Sequence, residues 1–219
     1  MTDDPTGPDD ADEFASARER MADAVARQTD ASDRVRRALA AVPRHEFVPP
    51  GRRTAAYEDR PLPIGDGQTI SAPHMVAIMA DLLDLEPGDE VLEIGTGCGY
   101  HAAVTAALVG DGNVYSVEYG ADLAERARET LADLGYGGVS VRTGDGREGW
   151  PERAPFDAAY VTCAAPSFPD PVVEQVRTGG RLLAPIGSAR QTLVFAYKRE
   201  DGSLDREDHG AVRFVPLRG

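Results

Sequence analysis

Apolar residues recur three or four apart over residues 13–28, where Phe14, Ala17, Met21 and Val25 fall on one helical face. A second periodic run over 32–42 carries Val35, Leu39 and Val42, with Asp30 or Ser32 as N-cap and Pro43 as its stop. Residues 43–67 lose the period and are rich in proline and glycine. Phe47, Val48, Tyr57, Leu62 and Ile64 still supply apolar anchors, so an ordered, irregular layer is expected there rather than a linker. Over 73–84 a helix returns, opened by Pro73 in its first turn and striped by Met75, Ile78, Met79 and Leu82.

After the Pro87-Gly88 turn the pattern changes to short apolar runs separated by helical ones. Strands are predicted at 90–94, 113–118, 139–143 and 156–162, and helices at 100–109 and 121–134. A further strand, 181–185, follows the Gly179-Gly180 turn. Strands alternating with helices of this length imply βαβ units and a parallel sheet. The tail departs from that rhythm. Strands at 192–198 and 212–216 flank a polar stretch, DGSLDREDHG, which reads as an antiparallel hairpin added to the sheet. The fold class is therefore α/β: a mostly parallel sheet with an N-terminal helical cap and an antiparallel C-terminal hairpin. Residues 1–12, with five aspartates and two prolines, read as a disordered acidic leader. Residues 13–219 read as one domain: cap and neighbouring segment (13–72), core (73–190) and C-terminal strands (191–219).

Charge narrows the partners. Lys+Arg total 23 and Asp+Glu 37, a net charge of −14, which repels nucleic-acid backbones and anionic lipid. The chain has no run of roughly 18 apolar residues that would span a membrane, and its first residues lack the apolar core of a signal peptide. Two cysteines, Cys98 and Cys163, cannot by themselves form a disulfide framework or a four-ligand zinc site. A cytoplasmic monomer with no nucleic-acid, membrane or metal partner is expected. Only one basic residue, Lys198, is a lysine. That composition fits either a surface suited to high salt or the codon bias of a GC-rich genome.

The chemistry concentrates in VLEIGTGCGY (91–100), where a buried strand runs into three alternating glycines and then a helix. Such glycines let the backbone turn tightly and come close to a ligand at the carboxyl edge of a sheet. The spacing G-x-G-x-G differs from the G-x-G-x-x-G of dinucleotide binders. Glu118 ends the next strand, 19 residues beyond Gly99, where a carboxylate can accept bonds from both ribose hydroxyls. Asp145, in Gly144-Asp145-Gly146, follows the third strand and can accept a bond from an adenine amino group. Each acid has a plain alternative: a solvated strand end for Glu118, and a turn aspartate capping the next segment for Asp145. The four histidines are scattered without metal-ligand spacing, and the cysteines read as packing residues.

VLEIGTGCGY, VYSVE (114–118) and GDG (144–146) resemble the Rossmann-like S-adenosylmethionine-dependent methyltransferases. VPRHEFVP (42–49), YEDRPLPIGDGQTISAPHMVAIM (57–79), GDGREGWPERAPFDAAYVTCAAP (144–166) and GGRLLAPIG (179–187) carry a closer resemblance, to the protein-L-isoaspartate O-methyltransferases. That resemblance runs from about Ser32 to Phe195, and GQTIS (67–71) is its most specific segment. It implies methyl transfer from S-adenosyl-L-methionine, leaving S-adenosyl-L-homocysteine, to the free α-carboxylate of L-isoaspartyl residues in damaged proteins.

It also implies site roles. Thr69 and Ser71 would line the reacting carboxylate, with Ile70 between acceptor and methyl donor. Gly95, Thr96, Gly97 and Gly99 would pack on the donor's methionine portion and ribose. Glu118 would take the ribose hydroxyls, and Asp145 with Gly146 the adenine. Ala164, Ala165 and Pro166 would wall the acceptor pocket, while Pro185, Ile186, Gly187 and Gln191 would bind the acceptor's backbone. Cys98 stands where the family more usually has serine, and Cys163 where it has alanine. Rival readings are a methyltransferase with a small-molecule acceptor, a noncatalytic S-adenosylmethionine-binding adaptor and, more distantly, a nicotinamide dehydrogenase.

Overall fold

The computed structural model describes residues 8–219. Two helices, α1 (Pro8–Thr29) and α2 (Asp33–Ala41), open the chain. The expected leader lies outside the described residues over 1–7. Residues 8–12 already belong to α1, because a proline fits a helix's first turn, where its missing N–H would have no intrahelical partner. Ser32 caps α2 by accepting the Val35 amide (3.4 Å). The irregular layer consists of two short 3-10 turns and a small hairpin, β1 (Leu62–Gly65) with β2 (Gln68–Ile70). Asp66 and Gly67 form its turn with φ of 53° and 70°, the positive values a tight two-residue hairpin turn requires. Helix α3 (Pro73–Leu83) follows.

The core alternates as the apolar runs predict: β3 (Val91–Ile94), α4 (Tyr100–Val109), β4 (Val114–Glu118), α5 (Ala121–Asp133), β5 (Ser140–Thr143) and β6 (Phe156–Val161). A short helix, α6 (Asp170–Gln175), leads into β7 (Val176–Gly187), then β8 (Gln191–Lys198) and β9 (Leu204–Val212). The seven strands lie in the order β5-β4-β3-β6-β7-β8-β9. Pairings from β5 to β7 are parallel, and those of β7 with β8 and β8 with β9 are antiparallel. Connections run outward from β3 in both directions, so the switch point lies between β3 and β6, where ligands of open α/β sheets bind.

Successive β3 side chains face opposite ways. Val91 joins the apolar cluster that also holds residues of α1–α4, while Leu92 and Ile94 join a second cluster with Phe156, Phe168 and Val172. The cap thus shares its core with the sheet.

The hairpin's second strand needs correction. It spans Leu204–Val212, most of the polar stretch read as a turn, and not 212–216. As the sheet's edge it buries none of its residues, so it shows no apolar alternation. Residues 213–219 instead cross back over the carboxyl edge, where Ala164 N–H donates to the Val215 carbonyl and Leu217 N–H to that of Ala164 (both 2.8 Å).

Candidate active site

Strand tips β3, β4 and β6, the β5 exit, hairpin β1–β2 and the returning tail line an open cleft. Its floor is the glycine loop. Gly95 has φ +95°, and a Cβ there would stand 2.4 Å from Thr162 Oγ1. Thr162 itself donates to the Gly95 carbonyl (2.5 Å), pinning the loop to the tip of β6. A side chain at Gly95 is therefore excluded twice, by strain and by collision.

Glu118 is 9% exposed and braces the same loop. Its Oε2 accepts the Gly97 amide (2.9 Å) and its Oε1 the Gly120 amide (3.0 Å). Each oxygen keeps lone-pair capacity for another donor at the cleft wall. Beneath the loop lies a group the sequence reading passed over. Glu93 is fully buried in β3, its two oxygens receiving Ser116 Oγ (2.5 Å) and Tyr160 OH (2.9 Å). Ser116 also pairs with Thr96 Oγ1 (2.6 Å), and Thr105 with Tyr160 (2.9 Å). Burial pushes the Glu93 carboxyl up to about 8, against the two hydroxyls that favour its charged form, so it is mostly protonated at neutral pH. An acid inside an otherwise apolar strand was the signal available in the sequence.

On the opposite wall stand Gln68, Thr69, Ile70 and Ser71. Ser71 does not cap α3: the N-cap is Ala72, and the His74 amide is taken by the Asp59 carboxylate (2.9 Å), which also holds the His74 ring (2.9 Å). The Ser71 hydroxyl is left for the cleft. A second cleft, about 350 Å³, opens on the other side of this segment, between α3 and residues 211–215. Thr69, Ser71, Thr162 and Val215 line both clefts.

Several expected residues are placed elsewhere. Gly146 lines the cleft, but the Asp145 carboxylate does not. It caps a short 3-10 turn and grips Arg147 (2.6 Å), whose hydrogen bonds hold it below the usual carboxylate range. This is the turn-capping role its Asp-Gly context allowed. Gln191 is occupied by the chain itself, accepting the Phe214 amide (2.6 Å) and donating to the Phe214 carbonyl (3.1 Å). Ala164, Ala165, Pro166, Pro185, Ile186 and Gly187 lie outside both clefts. Ala165 bonds to Pro185 and Gly187 through backbone, and Ala164 to the tail. The tail supplies a wall instead, through Val215, Pro216, Leu217 and Arg218. Arg218 clasps the β1–β2 turn by donating to the Asp66 carbonyl (2.9 Å).

Cys98 and Cys163 also line the cleft, but burial raises their thiols to about 11 and about 12, so neither is a ready nucleophile. Among the described residues no group of three or more His, Cys, Asp or Glu side chains is placed to hold a metal ion. No helix among them is long and apolar enough to cross a membrane.

The glycine cradle, the carboxylate at the β4 tip and the switch-point cleft fit a nucleoside-bearing methyl donor. The family model described as protein-L-isoaspartate(D-aspartate) O-methyltransferase matches residues 16–219, extending past both ends of the segment that carried the resemblance. Protein-L-isoaspartate O-methyltransferase 2 of Archaeoglobus fulgidus is 53% identical over 208 residues, covering 94% of this chain and 95% of that protein. The enzyme of Methanothermobacter thermautotrophicus is 52% identical over 191 residues, covering 86% and 88%. A solved protein-L-isoaspartate O-methyltransferase superposes with a TM-score of 0.85 at 32% identity, covering 92% of this chain and 66% of that one. The Plasmodium falciparum structure, solved with S-adenosyl-L-homocysteine, shares the fold with a TM-score of 0.79 at 23% identity, covering 92% of this chain and 98% of that one. With the sequence motifs, the cleft geometry and these relatives in agreement along nearly its whole length, the chain belongs to the protein-L-isoaspartate(D-aspartate) O-methyltransferase family.

Proposed function

We propose that the two clefts are the donor and acceptor sites of one methyl transfer, meeting at Ser71. The reaction is methylation of the free α-carboxylate of L-isoaspartyl residues in damaged proteins, the step that starts their return to aspartate. The observation that carries the site reading is the wall shared by both clefts, Thr69, Ser71, Thr162 and Val215.

S-adenosylmethionine, when bound, supplies an electrophilic methyl on a sulfonium. Gly95, Thr96, Gly97 and Gly99 cradle its methionine portion and ribose, and Glu118 receives the ribose hydroxyls. Gly146, whose missing side chain makes room for Ile94, lines the cleft on the adenine's side. Ile70, buried, separates the two sites. Ser71 donates its hydroxyl to one acceptor oxygen, leaving the other free to face the methyl group, and Thr69 lines the same carboxylate.

The chemistry explains why hydroxyls serve here. An α-carboxyl with a pKa near ~3.5 is ionised at neutral pH, so no general base is needed. Charge is neutralised as the methyl moves. A cationic clamp would hold the starting carboxylate more tightly than the transition state, whereas neutral hydroxyls orient it with less of that penalty. Catalysis then rests on alignment and exclusion of water.

A cytoplasmic monomer that binds neither nucleic acid nor membrane, and folds as one domain over 13–219, belongs to the same reading. Its support is the net charge of −14, the core shared by cap and sheet, and the scarcity of large exposed apolar side chains, Tyr119 and Tyr197 among the described residues. The deciding experiment is methyl transfer to an isoaspartyl peptide against its aspartyl counterpart. Preference for the isoaspartyl form is expected, and equal or absent labelling overturns the assignment.

A further inference from the structure

The acceptor cleft is lined by a histidine whose ring the roles above leave unused. The main-chain N–H of His74 donates to Asp59 Oδ1 (2.9 Å), and its Nδ1 lies 2.9 Å from the same oxygen and 3.0 Å from Oδ2. A carboxylate only accepts, so Nδ1 carries the proton, and in the neutral ring Nε2 is left as an acceptor. The His74 side chain is 32% exposed, and Nε2 is open to solvent with no partner among the described residues. Two bonds to one carboxylate fix the ring and turn Nε2 away from Asp59. Asp59 lines neither cleft, whereas His74 lines the second, so the free nitrogen lies on the side of the ring that meets the acceptor.

The acceptor's covalent structure says what an acceptor nitrogen there can read. In an isoaspartyl residue the free carboxylate and the residue's own backbone N–H sit on one carbon. In an ordinary aspartyl residue a methylene separates the free carboxylate from that carbon. Ser71 lines the same cleft three positions before His74. A hydroxyl at the carboxylate and a fixed acceptor at the N–H together gauge this spacing, which the carboxylate contact alone does not. The other side chains at this wall leave the task to His74: Arg213 has no acceptor, and Thr162 donates to the Gly95 carbonyl.

We propose that His74 Nε2 accepts the backbone N–H of the isoaspartyl residue itself, and that this contact is a determinant of the preference for isoaspartyl over aspartyl acceptors. The assignment rests on the acceptor-cleft reading above.

The test uses an isoaspartyl peptide and an analogue in which an ester oxygen replaces the isoaspartyl N–H, keeping the carboxylate but removing the donor. Wild type, His74→Leu and His74→Gln are compared by kcat/KM at about pH 8, above the ordinary histidine value of ~6.5. In wild type the ester should cost at least about fivefold, the scale of one hydrogen bond. In His74→Leu the isoaspartyl peptide should fall by a similar factor, lowering the preference over the aspartyl peptide, and the ester should cost less than about twofold more. His74→Gln, whose amide oxygen can take the place of Nε2, should keep the ester penalty within about twofold of wild type. Affinity for S-adenosylhomocysteine should stay within about twofold in both variants, since His74 does not line the donor cleft. A wild type indifferent to the ester, a penalty that His74→Leu leaves intact, or a His74→Gln enzyme that loses the penalty would each overturn the assignment. A wild-type protein that does not methylate the isoaspartyl peptide at all would overturn the acceptor-cleft reading itself, and this assignment with it.

Discussion

Replacing Glu93 with glutamine tests whether a protonated acid sits beneath the glycine loop. The carboxyl titrates at about 8 in the folded chain against an ordinary value of 4.5. Between those values the folded state holds a proton that the unfolded chain has released. Stability from this group is therefore lost as pH rises from about 4.5 and levels off only above the folded value. Below 4.5 both states are protonated and the group contributes nothing to the pH dependence. Each pH unit of unequal protonation is worth about 1.4 kcal/mol, so wild type should lose about 3–4 kcal/mol relative to Glu93→Gln between pH 5 and pH 8. Glutamine is nearly isosteric and still presents an oxygen to Ser116 or Tyr160, so the packing of β3 is retained. Urea unfolding of both proteins at pH 5, 6, 7 and 8 reads the effect directly, and their difference cancels every other titrating group. A difference that stays flat with pH, or that favours wild type as pH rises, would show that Glu93 is ionised in the fold and refute the reasoning.

The remaining predictions follow from the same geometry. Ser71→Ala should cut turnover on an isoaspartyl peptide at least about tenfold, roughly 1.4 kcal/mol of transition-state stabilisation, without changing donor affinity. Its unfolding midpoint should match wild type, since Ser71 caps nothing; full turnover would remove it from the mechanism. Asp145→Asn should leave S-adenosylhomocysteine affinity within about twofold, because the carboxylate is spent on a surface pair with Arg147. A calorimetric loss above tenfold would return it to the adenine. Gln191→Ala should speed amide exchange at Phe214 by about tenfold, as one or two backbone bonds are lost; unchanged exchange would mean that the bonds to Ala164 alone hold the tail. Raising KCl from low to molar concentration should raise the melting temperature by screening the charge of −14. A flat response would assign the scarcity of lysine to codon usage.

The sequence by itself determined the parts whose signal is local. Buried parallel strands require apolar runs, so β3, β4 and β6 were legible within a residue or two, and the glycines and Glu118 fell at strand ends where the βαβ order puts ligands. Tertiary structure decided whatever depends on which partner reaches a polar group first. Ser71 and Asp145 each carried two local readings. Asp59, distant in sequence, takes the α3 end and frees Ser71, whereas the pair that holds Asp145 is local, with Arg147 two residues away. Gln191 meets Phe214 because β8 and β9 pair, a contact no local pattern encodes. An edge strand such as β9 buries nothing and so leaves no alternation to read. Period and turn chemistry write themselves into neighbouring residues, but the pairing of buried polar groups is fixed only when distant segments compete for the same hydrogen bonds.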